Sequence, residues 1–313
     1  MIIKRNVPIN SISWLKYCDS GIITIFYEPE SKAELAELCI KMYREGHSFD
    51  IIGYTSNIYF TSGYNVENVV STRKVKKIDY YKDYIDVDCG VSVKSLARQM
   101  VDNGVVGFEG LIDLPGTIGA AIYGNASCYN CSINNLLVSI EFLNDKGEIV
   151  ELKPKDLKLE YRSSILKRGE LHGVILSCRL RCQHSDYHGL KSLAEQYSHT
   201  RKKTQPGPAN NLGSIFRFQG RPTIYYCIMR LFSILYSIMF CGNKEMAKDK
   251  KKEMFFYLIG AKDLLPYVYN WNRFIWRDES SHRMFEKYLR IHQRLFTGNE
   301  LEIEIKEDQN QKI

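Results

Sequence analysis

A strand–helix–strand pattern near the start of the chain restricts the fold to a sheet covered by helices. Residues 21–28 are β-branched and aromatic, which predicts a strand. Ser31 precedes an amphipathic segment whose apolar residues recur at helical spacing up to Gly46. A second apolar run, residues 49–52, ends at Gly53. This β-α-β unit delivers a small-residue loop at the carboxyl end of a strand, where α/β folds bind ligands.

Downstream, the sequence predicts a second unit that mixes short strands with a helix. The predicted strands are residues 69–71, 77–80, 84–90, 137–143, 149–152 and 173–181, and the helix is residues 93–103. Residues 144–147, Asn-Asp-Lys-Gly, are typical of a hairpin turn. The mixture predicts an α+β fold, and a length of 313 residues allows two or three domains.

The charge of the chain is mildly basic. The 43 Lys and Arg residues exceed the 36 Asp and Glu residues, which gives a net charge of +7. Basic runs are short, at residues 201–203 and 248–252, and no aromatic-basic recognition motif accompanies them. We therefore expect an anionic small molecule as partner and no nucleic acid.

The nine cysteines are an odd number, and the polar start of the chain lacks the apolar core of a signal peptide. Free thiols in a cytoplasmic protein are the simplest interpretation. Cys128 and Cys131 have metal-type spacing, and Cys178 with Cys182 would complete four ligands. The second pair is unusually spaced and no histidine joins the set, so we expect no metal.

Residues 223–241 are almost continuously apolar, interrupted mainly by Arg230 and two serines. Such a length raises the possibility of a membrane span, but an arginine near the bilayer centre would cost about 3 kcal/mol. The sequence favours a helix in the core or against a partner, in a protein that ignores lipid vesicles. A helix on a membrane surface, aided by the basic run 248–252, stays an alternative.

Two loops have the composition of nucleotide-binding loops. Residues 53–57, Gly-Tyr-Thr-Ser-Asn, present hydroxyls, an amide and backbone N–H groups that suit a pyrophosphate. Residues 107–121 alternate small with apolar residues and end in Leu-Pro-Gly-Thr-Ile-Gly-Ala-Ala, so a ligand can approach the backbone closely. Together the loops predict a split nucleotide site.

These loops and later motifs resemble the UDP-N-acetylenolpyruvoylglucosamine reductase family, also called UDP-N-acetylmuramate dehydrogenase, whose flavin fold is shared with the vanillyl-alcohol oxidase group. The matching residues are Gly53 with Ser56-Asn57, Gly107 to Ala121, Asn125-Ala126 with Tyr129, Tyr161 to Ser164, Gln205-Pro206, Gly213 to Arg217 and Leu301 to Ile305. The resemblance covers residues 6–217 and resumes near residue 300.

The resemblance implies a noncovalent FAD and NADPH as the reductant. The residues expected to contact FAD are Gly53, Tyr54, Thr55, Ser56, Asn57, Pro115, Gly116, Thr117, Gly119, Ala120, Asn125 and Arg201. It also implies three subdomains: residues 1–75 as a βαβ FAD-binding unit, residues 76–205 as an α+β FAD-binding unit, and residues 206–313 as a divergent substrate-binding region.

The resemblance assigns chemistry to three residues. Arg162 matches the arginine that holds enolate-like charge, Ser214 matches the proton donor, and Glu304 matches a carboxylate that stabilises the intermediate. Each has a plainer alternative, namely a surface cation, a turn cap and an exposed strand residue. Glu302 shares the predicted strand face of Glu304, so that assignment depends on the strand register.

The implied reaction is NADPH-dependent reduction of UDP-N-acetylglucosamine enolpyruvate in peptidoglycan precursor synthesis. The sequence departs from the family at Tyr54, Thr55, Ala120 and Ala121, where glycine is common, and residues 223–259 lack a recognisable counterpart. Alternatives are therefore a related flavin oxidoreductase acting on another nucleotide sugar or surface-polysaccharide intermediate, and a non-catalytic flavin-binding paralogue.

Overall fold

The computed structural model describes residues 1–15, 17–185, 189–205, 211–240 and 244–308, with all side chains except those of residues 240 and 244–248. Pro206 and Cys241, which belong to a predicted motif and to the predicted apolar helix, lie outside this part. One of the two main sheets contains parallel strand pairs, and the other is antiparallel. The predicted α+β class is therefore confirmed.

The N-terminal sheet has the strand order β1-β2-β5-β3. Its strands are β1 (Ile2–Pro8), β2 (Ile22–Glu28), β3 (Asp50–Ile52) and β5 (Val66–Ser71), with β4 (Ile58–Phe60) outside it. Helix α1 (Lys32–Glu45) lies between β2 and β3. Ser31 caps its first turn, because the Ser31 hydroxyl accepts from the Glu34 N–H at 3.2 Å. The predicted elements are confirmed, but β5 inserts between β2 and β3 and runs parallel to both.

The second sheet is antiparallel and has the order β11-β10-β12-β7-β6. Its strands are β6 (Ile78–Tyr80), β7 (Tyr84–Asp88), β10 (Leu137–Asn144), β11 (Ile149–Leu152) and β12 (Gly173–Arg181). The predicted hairpin between β10 and β11 is confirmed. Asn144 stabilises its turn, because its side-chain oxygen accepts from the Lys146 and Glu148 N–H groups at 3.0 and 2.9 Å.

Helices and short strands complete the chain. The helices are α2 (Val93–Asp102), α3 (Ile118–Tyr123), α4 (Ile133–Leu136), α5 (Leu190–Thr204), α6 (Ile224–Phe240), α7 (Lys244–Leu258) and α8 (Ser281–Leu295). The short strands are β8 (Ser127–Cys128), β9 (Cys131–Ser132), β13 (Phe216–Phe218), β14 (Arg221–Pro222), β15 (Val268–Asn270), β16 (Arg273–Phe274), β17 (Phe296–Thr297), β18 (Glu300–Leu301) and β19 (Glu304–Lys306).

Three hydrophobic clusters hold these elements together. The largest lies under the antiparallel sheet and also takes in the apolar face of α1. A second packs against the N-terminal sheet around Phe26, and a third, half of whose buried residues are aromatic, surrounds Phe285 and Tyr288. The domain boundaries at residues 75 and 205 stay predictions.

The apolar segment forms α6, which packs against α7. The expectation of a core helix is wrong for its outward face, because Ile224, Leu231 and Ile238 are 77%, 56% and 71% exposed while Ser233 and Ser237 are buried. Periodicity alone could not show this, since apolar residues occur on every side of the segment. Among the described residues, no helix combines the length and hydropathy needed to cross a bilayer.

Replacement of Phe142 by alanine should lower the free energy of unfolding by about 3–5 kcal/mol, because this fully buried ring lies in the largest cluster. Its cross-strand neighbour Val150 is only half-buried, so Val150→Ala is the matched control and should cost less. Denaturant unfolding of both variants measures the difference; equal losses would contradict the assignment of the core.

Candidate active site

A cavity of about 630 Å³ lies where the two predicted loops approach each other. Of the residues predicted to form the site, those that line it are Gly53, Tyr54, Thr55, Ser56, Asn57, Pro115, Gly116, Thr117, Gly119, Ala120, Arg162, Arg201, Ser214 and Glu304. Asn125 is absent from this lining. Residues from distant parts of the sequence thus converge on one space, although their individual roles stay predictions.

The two loops touch at Gly53 and Thr117. A Cβ atom on Gly53 would lie 2.6 Å from the Thr117 hydroxyl oxygen, so only glycine allows this approach. Thr117 is fixed in turn, because its hydroxyl accepts from the Ala120 N–H at 3.3 Å and caps α3. Gly116 has a φ of 118°. Apart from its own chain neighbours, no atom of the described residues lies within 4 Å of the position that a Cβ would occupy there.

The loop 53–57 is also tied to the C-terminal end of the chain. The Asn57 side-chain amide donates to the Glu302 carbonyl at 3.0 Å, and the Glu304 N–H donates to the Asn57 carbonyl at 2.9 Å. Strand β19 then runs parallel to β4, with Glu304 opposite Ile58. The Asn57 amide therefore positions the C-terminal strand.

The predicted continuous strand of residues 301–305 is wrong. It is divided into β18, which pairs with β13, and β19, which pairs with β4. The break occurs where the N–H groups of Glu302 and Ile303 both donate to the Ile215 carbonyl, at 2.8 and 3.3 Å. Glu302 and Glu304 nevertheless both line the cavity, as the shared face predicted.

Arg162 sits in a loop with an unusual backbone. Its φ is 56°, and its Nε lies 3.3 Å from a carboxylate oxygen of Glu302. Asn125 supports this loop from outside the cavity, since its side-chain amide donates to the Glu160 carbonyl at 2.7 Å. Asn125 thus positions the arginine-bearing loop in this structure.

The two glutamates are half-buried among cations. Burial raises the pKa of Glu304, an effect opposed by Lys306 and Lys167. Burial likewise raises the pKa of Glu302 against the opposing charges of Arg162 and Lys167. A carboxyl with a raised pKa keeps its proton to higher pH, so either group can serve as a proton reservoir.

Lys167 is a site residue that the sequence analysis missed. Its ammonium donates to the Glu302 carbonyl at 2.6 Å, and burial lowers its pKa. It follows Arg162 by five residues in an otherwise ordinary segment, so no sequence signal marked it. Lys306 is also missed, and its ammonium lies 2.6 Å from a carboxylate oxygen of Asp50.

Ser214 follows Gly213, whose φ of 80° turns the chain toward the cavity. The strand beyond it is fixed by Asn272, whose side-chain oxygen accepts from the Phe216 N–H at 2.6 Å and whose amide donates to the Phe216 carbonyl at 2.9 Å. The Asn272 carbonyl accepts from the Ile215 N–H at 3.1 Å. Asn272, also missed, therefore sets the position of the serine.

Arg201 and Arg273 bring two guanidinium groups to the cavity wall. Burial and the neighbouring charge of Arg201 lower the pKa of Arg273. Among the ion pairs of the described residues, Arg273 has no carboxylate partner. It donates instead to the Gln205 side chain at 3.2 Å. Two unneutralised guanidinium groups favour an anionic ligand.

The four cysteines considered as metal ligands lie in or beside β-strands and contact protein groups. Cys178 is buried in β12 and Cys182 follows that strand, whereas Cys131 lies in β9 and its sulfur accepts from the Gly110 N–H at 3.2 Å. Cys128 lies beside Arg201, whose guanidinium donates to its sulfur at 3.4 Å. Within the part of the chain that the structure describes, no group of His, Cys, Asp or Glu is arranged to hold a metal ion.

Comparison with known proteins supports this architecture. Residues 23–153 match the family described as FAD binding domain, which confirms the predicted flavin cofactor. A crystal structure of UDP-N-acetylenolpyruvylglucosamine reductase from Thermus caldophilus superimposes with a TM-score of 0.68 at 18% identity, over 97% of this chain and 99% of that chain. The fold is therefore shared along almost the whole length.

Sequence relatives lead to the same family. UDP-N-acetylenolpyruvoylglucosamine reductase of Caldicellulosiruptor saccharolyticus is 30% identical over 220 residues, 68% of this chain and 68% of that protein. The protein of the same name from Caldicellulosiruptor bescii is 28% identical over 216 residues, 68% of this chain and 67% of that protein. This chain belongs to the UDP-N-acetylenolpyruvoylglucosamine reductase family.

Proposed function

We propose that the protein reduces the enolpyruvyl group of UDP-N-acetylglucosamine enolpyruvate, with NADPH as reductant and FAD as cofactor. The observation that carries the proposal is the convergence of Arg162, Ser214 and Glu304 on the cavity that both nucleotide-type loops line. The name of the Caldicellulosiruptor saccharolyticus relative supports the substrate. Peptidoglycan precursor synthesis is the corresponding process.

The residues present fit FAD. Gly53 lets the two loops approach, and the open space beside Gly116 lies where a ligand can meet the backbone. A cavity of about 630 Å³ is within the size range of cofactor sites. When bound, the flavin supplies hydride chemistry, while the protein supplies orientation and charge.

The protein groups then divide the remaining work. Arg162, held by Glu302, presents a fixed guanidinium to the substrate carboxylate and to the negative charge that develops beside it. Ser214 donates the proton that the developing carbanion needs. A serine hydroxyl is a weak acid, so Glu304, whose pKa is raised by burial, assists it from the same cavity.

Arg201 and Arg273 are suited to the phosphates of a nucleotide ligand. Both line the cavity and neither is neutralised by an ion pair within the described residues, so a diphosphate would satisfy them. Arg273 belongs to the C-terminal region, whereas Arg201 lies in the last turn of α5. We assign Arg201 to the cofactor and Arg273 to the nucleotide sugar.

A second candidate is a related flavin oxidoreductase that acts on another nucleotide sugar. The observation in its favour is the helical hairpin of α6 and α7, in the segment for which the sequence offered no family counterpart. Turnover of NADPH with UDP-N-acetylglucosamine enolpyruvate separates the two candidates. Absence of turnover in a flavin-loaded enzyme would favour the second.

Gly53→Ala should weaken FAD binding at least about tenfold, because its Cβ must displace Thr117. Gly53 tests packing alone, whereas a substitution at Gly116 would also strain a backbone with positive φ. Flavin absorbance after purification and titration of the apoprotein measure the loss. Adding Thr117→Ala removes the two nearest atoms and should restore part of the binding; full flavin occupancy in the single variant would refute this role for Gly53.

Ser214→Ala should separate the two half-reactions. Bleaching of the flavin absorbance by NADPH should stay close to the normal rate, since no substrate proton moves in that step. Return of the absorbance on adding the enolpyruvyl substrate should slow by about 10²–10⁴-fold, the usual effect of general acid catalysis. If stopped-flow traces show that the flavin absorbance returns at the normal rate, Ser214 is a turn residue and not the proton donor.

The substrate half-reaction should slow as pH rises through the raised pKa of Glu304, because the carboxyl is protonated below that pKa and ionised above it. Glu304→Gln should be slower and should lose this pH step. Glu302→Gln is the matched control: it should raise KM, since Arg162 loses its partner, and should keep the step. A pH step that survives in Glu304→Gln would exclude Glu304 as its origin.

A further inference from the structure

The loop 53–57 has a backbone conformation that one of its own residues disfavours. Thr55 has a φ of 51°, which lies in the left-handed region that β-branched residues rarely adopt. Its side chain is buried, with an exposure of 3%. A conformation of this kind persists only where the surrounding structure holds the chain in it. We therefore expect the residues that flank Thr55 to be fixed by contacts with other parts of the fold.

Such contacts are present on both sides of Thr55. After it, Asn57 is hydrogen-bonded to the C-terminal part of the chain. Before it, the guanidinium group of Arg73 lies over the ring of Tyr54, with its Cζ 4.9 Å from the ring centroid. The same Cζ is 3.9 Å from the ring centroid of Trp14. Both distances are within the roughly 6 Å at which an aromatic face attracts a cation, so these three residues form an arginine–aromatic cluster.

The register of the N-terminal sheet explains why Arg73 meets Tyr54. Strands β3 and β5 are parallel, and Ile52 lies opposite Ser71. Tyr54 and Arg73 each follow their strand partner by two residues, so the chain carries them past the same edge of the sheet. The buried Thr72 hydroxyl donates to the Ile52 carbonyl at 3.3 Å. This hydrogen bond ties the short turn that bears Arg73 to the strand that leads into the loop.

The aromatic rings are the main contacts of the Arg73 head group. Its Nε is buried and has no hydrogen-bond partner within the described residues. The adjacent Lys74 pairs with Glu30 at 3.3 Å, whereas no ion pair among the described residues includes Arg73. Trp14 is anchored in turn, because its ring packs against that of Phe26, with centroids 6.1 Å apart, beside the N-terminal hydrophobic cluster. The arginine–aromatic cluster therefore connects the loop to the core of the N-terminal sheet.

We propose that Arg73 is a positioning residue for FAD, which acts through Tyr54 to hold the loop 53–57 in the conformation that receives the cofactor pyrophosphate. The loop is then ordered before FAD arrives, so the cofactor does not have to impose the disfavoured conformation of Thr55. Tyr54 lines the cavity, whereas Arg73 is not among the described residues that do. The proposal rests on the placement of FAD at this loop and does not depend on which nucleotide sugar is reduced.

The first test is a double-mutant cycle in which the flavin-free, full-length protein is titrated with FAD. Arg73→Gln should raise the Kd for FAD about tenfold, because binding must then also order the loop. Thr55→Gly removes the side chain that opposes the left-handed φ. In the Thr55→Gly background, Arg73→Gln should therefore raise the Kd less than about threefold. Lys74→Gln is the matched control, since it removes a cation from the same turn but not from the arginine–aromatic cluster, and it should bind FAD like the wild type.

The second test is amide hydrogen exchange of residues 53–57 in the flavin-free protein. These amides should exchange about tenfold faster in Arg73→Gln than in the wild type or in Lys74→Gln, because the loop opens more often. This measurement needs no FAD. It therefore tests the role of Arg73 even if the wild type takes up no flavin, a result that would instead contradict the cofactor.

Two results would overturn the proposal. The first is equal loop exchange in Arg73→Gln and Lys74→Gln, which would show that Arg73 does not order the loop. The second is a tenfold loss of FAD affinity that persists in the Thr55→Gly background, since Arg73 would then act on FAD directly. If Thr55→Gly itself binds no FAD, the exchange comparison decides between the two roles.

Discussion

The hydrogen bonds of Asn57 with residues 302–304 are the constraint on which the site depends. They attach the end of the chain to the loop at the carboxyl edge of the N-terminal sheet, so that Glu302 and Glu304 reach the same cavity as that loop. The Ile215 carbonyl, which accepts from both Glu302 and Ile303, brings the Ser214 segment to the same place. A single small network therefore joins three distant parts of the sequence.

The sequence predicted local structure and cofactor loops better than it predicted the pairing of distant segments. The capped helix α1 and the hairpin at Asn144 follow from short-range hydrogen bonds, which neighbouring residues determine. The insertion of β5 between β2 and β3 depends on long-range pairing, and so does the division of residues 301–305 between two partners. Alternation of apolar residues carries no information about the partner strand.

The site shows the same limit. Arg162, Ser214 and Glu304 stand within motifs that resemble a family, whereas Lys167 and Asn272 act through contacts that exist only after folding. Asn125 illustrates a further limit: a motif residue expected at the cofactor is hydrogen-bonded to the Glu160 carbonyl, and its contact with FAD stays a prediction. Proximity in a motif indicates a shared structural purpose, but it does not distinguish a residue that contacts the ligand from one that supports its neighbour.

Helix α6 shows that an apolar composition and the burial of the apolar side chains are two separate properties, which a hydropathy value does not distinguish. A run such as residues 224–240 has enough apolar side chains for burial, but burial depends on which side faces a neighbour. Small side chains at Ser233 and Ser237 allow α7 to approach closely, and their hydroxyls are satisfied by the backbone of α6 itself. The helix can therefore turn its serines inward without leaving unpaired polar groups. The free energy that would normally come from burying its leucines and isoleucines is therefore not gained from contacts within the described part of the chain.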